Sequence, residues 1–226
     1  MTPLILFDVD MTLLYSGGAG SLAMRRAFEQ LYGIEDGFRR VEFSGRTDWA
    51  ILKAALQQHG LLNGDGPFER ELPRFQETYY ALLARTLAEN EGGRVMPGVR
   101  ELLQALAERE VPQGLATGNF RQAAFMKLAH FGLDGYLREG GFGDDAEERA
   151  RVVGVAIDRV ANGSKPDVVW VVGDTPLDIE AAHANGALAL AVATGPRSVE
   201  ELRAAGADAA VPDLSDTEAV LRVLLA

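Results

Sequence analysis

Two rhythms of apolar and polar residues run along the chain. Leu4 to Phe7 is an unbroken apolar run of strand length, the pattern of a strand buried on both faces. From Val99 onward, helical patterns alternate with similar short runs. Val99 to Glu110 predicts a helix and Val111 to Ala116 a strand; Arg121 to Phe131 predicts a helix and Gly140 to Phe142 a short strand. Ala146 to Val160 is a helical pattern and Val168 to Val172 a strand. A helix, a strand over Leu188 to Ala193, a helix and a short strand over Ala209 to Val211 complete the series. Such alternation predicts an α/β fold built on a doubly wound parallel sheet with right-handed crossovers.

The first gap breaks that rhythm. More than a hundred residues separate Asp8 from the polar end of the next strand, whereas one crossover needs roughly a dozen to thirty. They read as helix after helix. Ser16-Gly-Gly-Ala-Gly-Ser21 leads into the first, with Ser21 or a neighbour as the expected N-cap. Thr47 to His59 follows, with Thr47 as N-cap. Phe68 to Asn90 carries Leu72, Phe75, Tyr79, Leu82 and Leu83 on one face. Glu91 to Gly98 stops the pattern. The expected organisation is a core of residues 1–15 and 96–226 with an all-helical cap, residues 16–95, inserted through glycine-rich joints. Gly18-Ala-Gly-Ser-Leu-Ala23 has the spacing of a dinucleotide fingerprint, but Asp8 to Leu14 separate it from the strand that motif requires.

Composition narrows the function. The chain has no cysteine, which excludes disulfides and thiolate catalysis. A net charge of −11 argues against nucleic acid or an anionic membrane as the main partner. The N-terminus lacks a basic segment ahead of its short apolar run, and Ala187 to Ala193 is too short to span a bilayer. A cytoplasmic protein, monomeric or weakly dimeric, with a small-molecule partner is expected.

Chemistry collects where strands end. Asp8 and Asp10 follow Leu4 to Phe7 directly, and residues i and i+2 of an extended chain point the same way, so their carboxylates are expected to converge. Thr117-Gly-Asn119 ends a second strand and offers a hydroxyl and free amides at a helix N-terminus. Gly173-Asp-Thr-Pro-Leu-Asp178 ends a third and adds Asp174 and Asp178, with N-capping and Pro176 at the first helical position as the bland alternative. Acidic groups from two strands make a hard oxygen site suited to Mg²⁺. A facing hydroxyl and amide cradle would complete what phosphoryl transfer needs.

The order Asp-x-Asp-x-Thr, strand to Thr, then Gly-Asp-x-x-x-Asp resembles the haloacid dehalogenase superfamily. The helical insert resembles its helical-cap branch, which includes phosphoglycolate phosphatase and β-phosphoglucomutase. The resemblance implies a Mg²⁺-dependent phosphatase acting on a small phosphorylated metabolite through an aspartyl-phosphate. It implies Asp8 as nucleophile and Asp10 as general acid and base. It puts Mg²⁺ on Asp8, the Asp10 carbonyl and Asp174, with Asp178 in support. Thr117, with the Gly118 and Asn119 amides, would hold the phosphoryl group. A phosphomutase on the same site, or a phospho-accepting receiver module, are the rivals; the large hinged insert disfavours the second.

Two positions depart from the family pattern. Met11 stands where glycine is usual, which is expected to narrow the way into the site. The family's third-motif lysine is missing from its usual place: the chain's three lysines are Lys53, Lys127 and Lys165. Lys165 comes too late, just before the acidic strand, so Arg149 at the start of the preceding helix is the expected cation. Gly45-Arg-Thr-Asp48 resembles the cap loop of this branch, which makes Arg46 the candidate for the leaving group. His59, His130 and His183 have no ligand spacing and are expected at helix ends or on the surface. Trp49 and Trp170 are expected to pack.

Overall fold

A computed structural model describes residues 2–62 and 67–226. Residues 63–66, within the expected insert, lie outside the described residues. The chain runs β1 (Pro3–Phe7), β2 (Leu14–Tyr15), α1 (Ala19–Tyr32), α2 (Asp48–Gln58), α3 (Pro67–Glu89) and β3 (Arg94–Val95). It continues through α4 (Val99–Glu108), β4 (Gln113–Ala116), α5 (Arg121–His130), β5 (Gly140–Gly141), α6 (Arg149–Ala161) and β6 (Val168–Gly173). It ends with α7 (Pro176–His183), β7 (Leu188–Val192), α8 (Val199–Ala204), β8 (Ala209–Val211) and α9 (Thr217–Leu224).

β1 is buried throughout because its two faces enter two different cores. Ile5 and Phe7 join Leu102, Leu106, Leu128 and Leu221 on one side. Leu4 and Leu6 join Val153, Ala156, Ile179 and Ala182 on the other. The sheet order is β5-β4-β1-β6-β7-β8, with each pairing parallel. The doubly wound parallel sheet expected from the apolar runs is therefore present. From β1 the chain reaches β4 on one side and later crosses to β6 on the other. β1 is thus the topological switch point, and the crevice outside its carboxyl end is where such sheets take ligands.

The segment between β1 and β4 is helical, as its periodicity predicts. Phe28, Phe38, Ile51, Leu56, Phe75, Tyr79 and Leu83 form its interior, which Phe120 and Ala123 from the region of α5 complete. The two passages between sheet and helices lie side by side, because β2 pairs with β3 antiparallel, Leu14 with Val95 and Tyr15 with Arg94. No helix among the described residues is long and apolar enough to cross a membrane.

Three element ends differ from expectation for physical reasons. Ser21 does not cap α1. Gly18, at φ 83, occupies the N-cap with no side-chain bond, and Ser21 already lies in the first turn; only glycine takes that left-handed backbone without a Cβ penalty. β4 begins at Gln113 rather than Val111, because Val111 N–H still closes the end of α4 on Leu106 O. α6 begins at Arg149 rather than Ala146, since Glu147 is turned away to meet Thr47 Oγ1 through its carbonyl and Lys53 through its carboxylate. Thr47 itself caps α2, accepting from Ala50 N–H.

Candidate active site

The crevice above β1, β4 and β6 holds a cavity of about 240 Å³. Asp8, Asp10, Gly118, Asn119, Arg149 and Asp174 line its floor, and the insert supplies the roof. Asp8 is positioned by the ladder, its N–H donating to Val172 O at 2.9 Å. Its Oδ1 lies 2.9 Å from Arg149 Nη2, which also lies 2.5 Å from Asp178 Oδ1. Oxygens of Asp8, Asp174 and Asp178 fall within 4.8 Å of one another, all three residues buried.

Burial and mutual repulsion set the electrostatics. Burial pushes the Asp8 carboxyl up against the pull of Arg149, and Asp178 and Asp10 add to the rise. Asp174 is pushed up to about 8, first by burial and then by Asp178 and Asp8. Burial works against the Arg149 charge, but Asp178 and Asp8 more than offset it and raise its pKa. Two acids leaning toward protonation, among three whose oxygens face each other, form a donor set that a hard divalent cation would relieve. The residues present fit Mg²⁺.

Asp8 and Asp10 face one cavity, but their carboxylates do not share partners as strand geometry led us to expect. The strand ends at Phe7, and Val9 O accepts from both Leu13 and Leu14 N–H in a tight turn. Asp10 Oδ2 instead accepts from Asn119 Nδ2 at 2.9 Å and from Lys127 Nζ at 2.6 Å. The carboxylate cluster therefore contains Asp178 in place of Asp10.

The remaining candidates divide. Thr117 is fully buried and does not line the cavity; its Oγ1 accepts from Asn119 Nδ2 at 2.9 Å. Gly118 lines it, and a Cβ there would lie 2.3 Å from Arg46 O, so the loop approaches the insert only as glycine. Asp178 sits in the capping box of α7 with Thr175, and Pro176 takes the first helical position, which leaves Asp174 free for the cavity. Lys165 is exposed in the turn before β6, at the other end of the strand from Asp174. Arg149 is therefore the cation beside Asp8. Arg46 lines the cavity, but it is exposed and its guanidinium contacts no described partner. Met11 adopts φ 63, the left-handed backbone that explains why glycine is usual there, and its side chain lines the cavity.

The histidines and tryptophans behave as expected. His59 is the C-cap of α2, His130 ends α5, and His183 ends α7 against Asp208 at 2.9 Å. Trp49 packs on Phe68 and Trp170 enters the sheet core.

Two participants were not read from the sequence. Lys127 of α5 is only 3% exposed and lines the cavity. Asp48 of α2 reaches across from the insert: its N–H donates to Gly118 O at 2.7 Å, and its Oδ2 accepts from Phe120 N–H at 2.8 Å. Asp144 Oδ2 takes the next amide, Arg121 N–H. The α5 N-terminus is thereby occupied by carboxylates, not left as an open cradle. Burial pushes Asp48 up to about 7, partly countered by Lys127 and the Phe120 N–H.

Residues 5–192 match the family model for haloacid dehalogenase-like hydrolases. The chain belongs to this family. Among curated proteins of the family, phosphoglycolate phosphatase from Rhodobacter capsulatus is 27% identical over 191 residues, covering 82% of each chain. Among solved structures, a putative β-phosphoglucomutase from Thermotoga maritima is 25% identical with a TM-score of 0.64, covering 99% of this chain and 100% of that one. A predicted phosphatase from Clostridium acetobutylicum shares the haloacid dehalogenase-like fold at 18% identity and a TM-score of 0.72, covering 99% of this chain and 100% of its own.

Proposed function

We propose that this phosphoric monoester hydrolase is a Mg²⁺-dependent phosphatase that cleaves a small phosphorylated metabolite through an aspartyl-phosphate on Asp8. The observation that carries the reading is the floor of the cavity: Asp8 paired with Arg149 on one side, and Asp10 facing the same space from the other. Asp8 and Asp174, with the Asp10 carbonyl, would hold Mg²⁺, which when bound supplies positive charge for the phosphate oxygens and for the two acids.

The chain's own residues do the rest. An Asp8 oxygen attacks phosphorus, a bond forms between them, and the bond from phosphorus to the leaving oxygen breaks. Protonated Asp10 gives its proton to that oxygen, which departs as an alcohol. In the second half Asp10 takes a proton from water, whose oxygen attacks the phosphorus and releases Asp8. Arg149 pulls Asp8 toward its ionised form and holds it in place, and the Gly118 and Asn119 amides bind the phosphoryl oxygens with Thr117 behind them. Arg46 meets an anionic group on the leaving side. The family relative that acts on phosphoglycolate supports a small alcohol phosphate as substrate.

Residues 16–95 act as a cap that closes over the core of residues 1–15 and 96–226. The paired passages at β2 and β3 support that division. A cytoplasmic monomer or weak homodimer completes the reading. The test is Asp8→Asn, which keeps the side-chain shape and removes the attacking oxygen. Turnover of small phosphate monoesters with Mg²⁺ should vanish, and a radiolabelled phosphoryl group should no longer be trapped on the protein. More than trace activity would dismiss Asp8 as nucleophile. Conversion of glucose 1-phosphate into its 6-phosphate, without release of inorganic phosphate, would replace the phosphatase with a mutase.

A further inference from the structure

We propose that Lys127 is the positioning residue for Asp10, and that Gly20 on α1 is the gap that admits it; the inference rests on the acid and base role given to Asp10 above. A lysine two turns into a surface helix ordinarily extends its ammonium to water along an apolar stem. Lys127 does the reverse. Its side chain is 4% exposed, and burial of an ammonium is unfavourable without partners. Two of its three N–H donors are matched, to Asp10 Oδ2 at 2.6 Å and to Asn119 Oδ1 at 2.6 Å.

The network closes on itself. Asn119 Nδ2 donates to Asp10 Oδ2 at 2.9 Å and to Thr117 Oγ1 at 2.9 Å. One oxygen of Asp10 is thus held from two directions, although its side chain is 39% exposed at the cavity wall. An acid or base in so open a position would otherwise sample several rotamers, and proton transfer needs one. Holding Oδ2 leaves Oδ1, which has no partner among the described residues, for the leaving oxygen or the attacking water.

Gly20 gives the independent observation. It lies inside α1, where glycine is disfavoured relative to alanine and where nothing in its backbone requires it, since its φ is not left-handed. A Cβ at that position would stand 3.1 Å from Lys127 Nζ and 3.2 Å from Cε. The missing side chain is the room into which the ammonium fits. Because Lys127 belongs to α5 and Gly20 to the insert, the clamp on Asp10 has its full shape only while α1 lies against α5.

The experiment uses the full chain with Mg²⁺ and two substrates. One is a phosphate ester of an uncharged alkyl alcohol, whose leaving oxygen needs a proton; the other is p-nitrophenyl phosphate, whose leaving group does not. Lys127→Met should lower kcat/KM, which reads transfer of the phosphoryl group to Asp8, about 100-fold on the alkyl ester and little on the aryl ester, whereas kcat on either ester also carries the water step that Asp10 serves. Gly20→Ala should shift the ratio of the two kcat/KM values in the same direction by less, with an unchanged or higher melting temperature. Equal losses of kcat/KM on both esters, or no loss on either, would overturn the proposal. Should Lys127→Met fail to fold, Gly20→Ala decides alone, and an unchanged ratio there overturns it. Asp10→Asn is assayed alongside: without leaving-group discrimination in that variant, the acid and base reading itself fails. Discrimination there with none in either Lys127→Met or Gly20→Ala refutes only the clamp.

Discussion

Two buried cations serve the two aspartates of the first motif, and they are built differently. Arg149 sits at the start of α6 and meets Asp8 and Asp178, so its ion pairs lie wholly within the sheet half of the molecule. Its link to the insert is a long contact of 3.4 Å to Gly45 O. Lys127 meets Asp10 within that half too, but fits against Gly20 of α1. The ion pair of Asp8 is therefore formed without the insert, whereas the lysine that pairs with Asp10 also packs against it. The side chains match those sites: a planar guanidinium bridges two carboxylates, while a compact ammonium fits the space beside Gly20.

Removing the fixed cation should have the largest effect. Arg149→Ala is expected to cost about 2–4 kcal/mol of transition-state stabilisation, about 30- to 1,000-fold in kcat/KM, on alkyl and aryl esters alike. Equal loss on both substrates is what separates it from Lys127→Met. Lys165→Ala, exposed at the far end of β6, serves as the control and should match the parent. A larger loss at Lys165 than at Arg149 would reverse the assignment.

Next in size is the dependence of stability on pH. Asp48 and Asp174 are raised from 3.8 to about 7 and about 8. A raised carboxyl favours the protonated folded state, so its contribution is complete below about pH 4 and is lost as pH rises through the folded value. Metal-free protein should therefore melt at falling temperatures between about pH 4 and pH 8. Asp48→Asn keeps an acceptor for Phe120 N–H and should flatten the part of that decline below about pH 7. Mg²⁺ should recover the part that belongs to Asp174. A melting curve that rises across the interval, in chelator, would contradict the burial argument for both residues.

The smallest effect concerns the exposed arginine in the loop before α2. Arg46→Ala should raise KM several-fold for a substrate with a second anionic group, as loss of one exposed charge-assisted contact does. It should leave p-nitrophenyl phosphate unchanged. Parallel kinetics on the two substrates check it, and a uniform loss would make Arg46 a packing residue of the loop against Gly118.

How much of this was visible in the sequence follows from the range of each interaction. The strands were legible because burial on two faces leaves an unbroken apolar run, as at Leu4 to Phe7. Arg149 was legible because the motif frame left a vacancy for a cation ahead of the acidic strand. Lys127 was not, because a lysine on an amphipathic helix looks the same whether it faces water or a carboxylate that is 117 residues away. Asp48 was hidden likewise: as an acid in the first turn of α2 it already had a local explanation. Its contact with Phe120 spans 72 residues. Asp8 and Asp10 face one cavity but keep separate partners, Arg149 and Lys127, because the strand stops at Phe7 and Asp10 lies beyond it.

The ribbon of β2 and β3 bears on ancestry and engineering. Tyr15 and Arg94 face each other as paired residues, with the guanidinium 5.1 Å from the ring centroid. The helical insert therefore leaves the sheet and returns to it at one point, as a hairpin loop would. Bringing its ends together asks nothing of the rest of the chain, and its internal length adds little closure entropy. An appendage joined in this way can lengthen, shorten or be exchanged for another while the sheet beneath keeps its register.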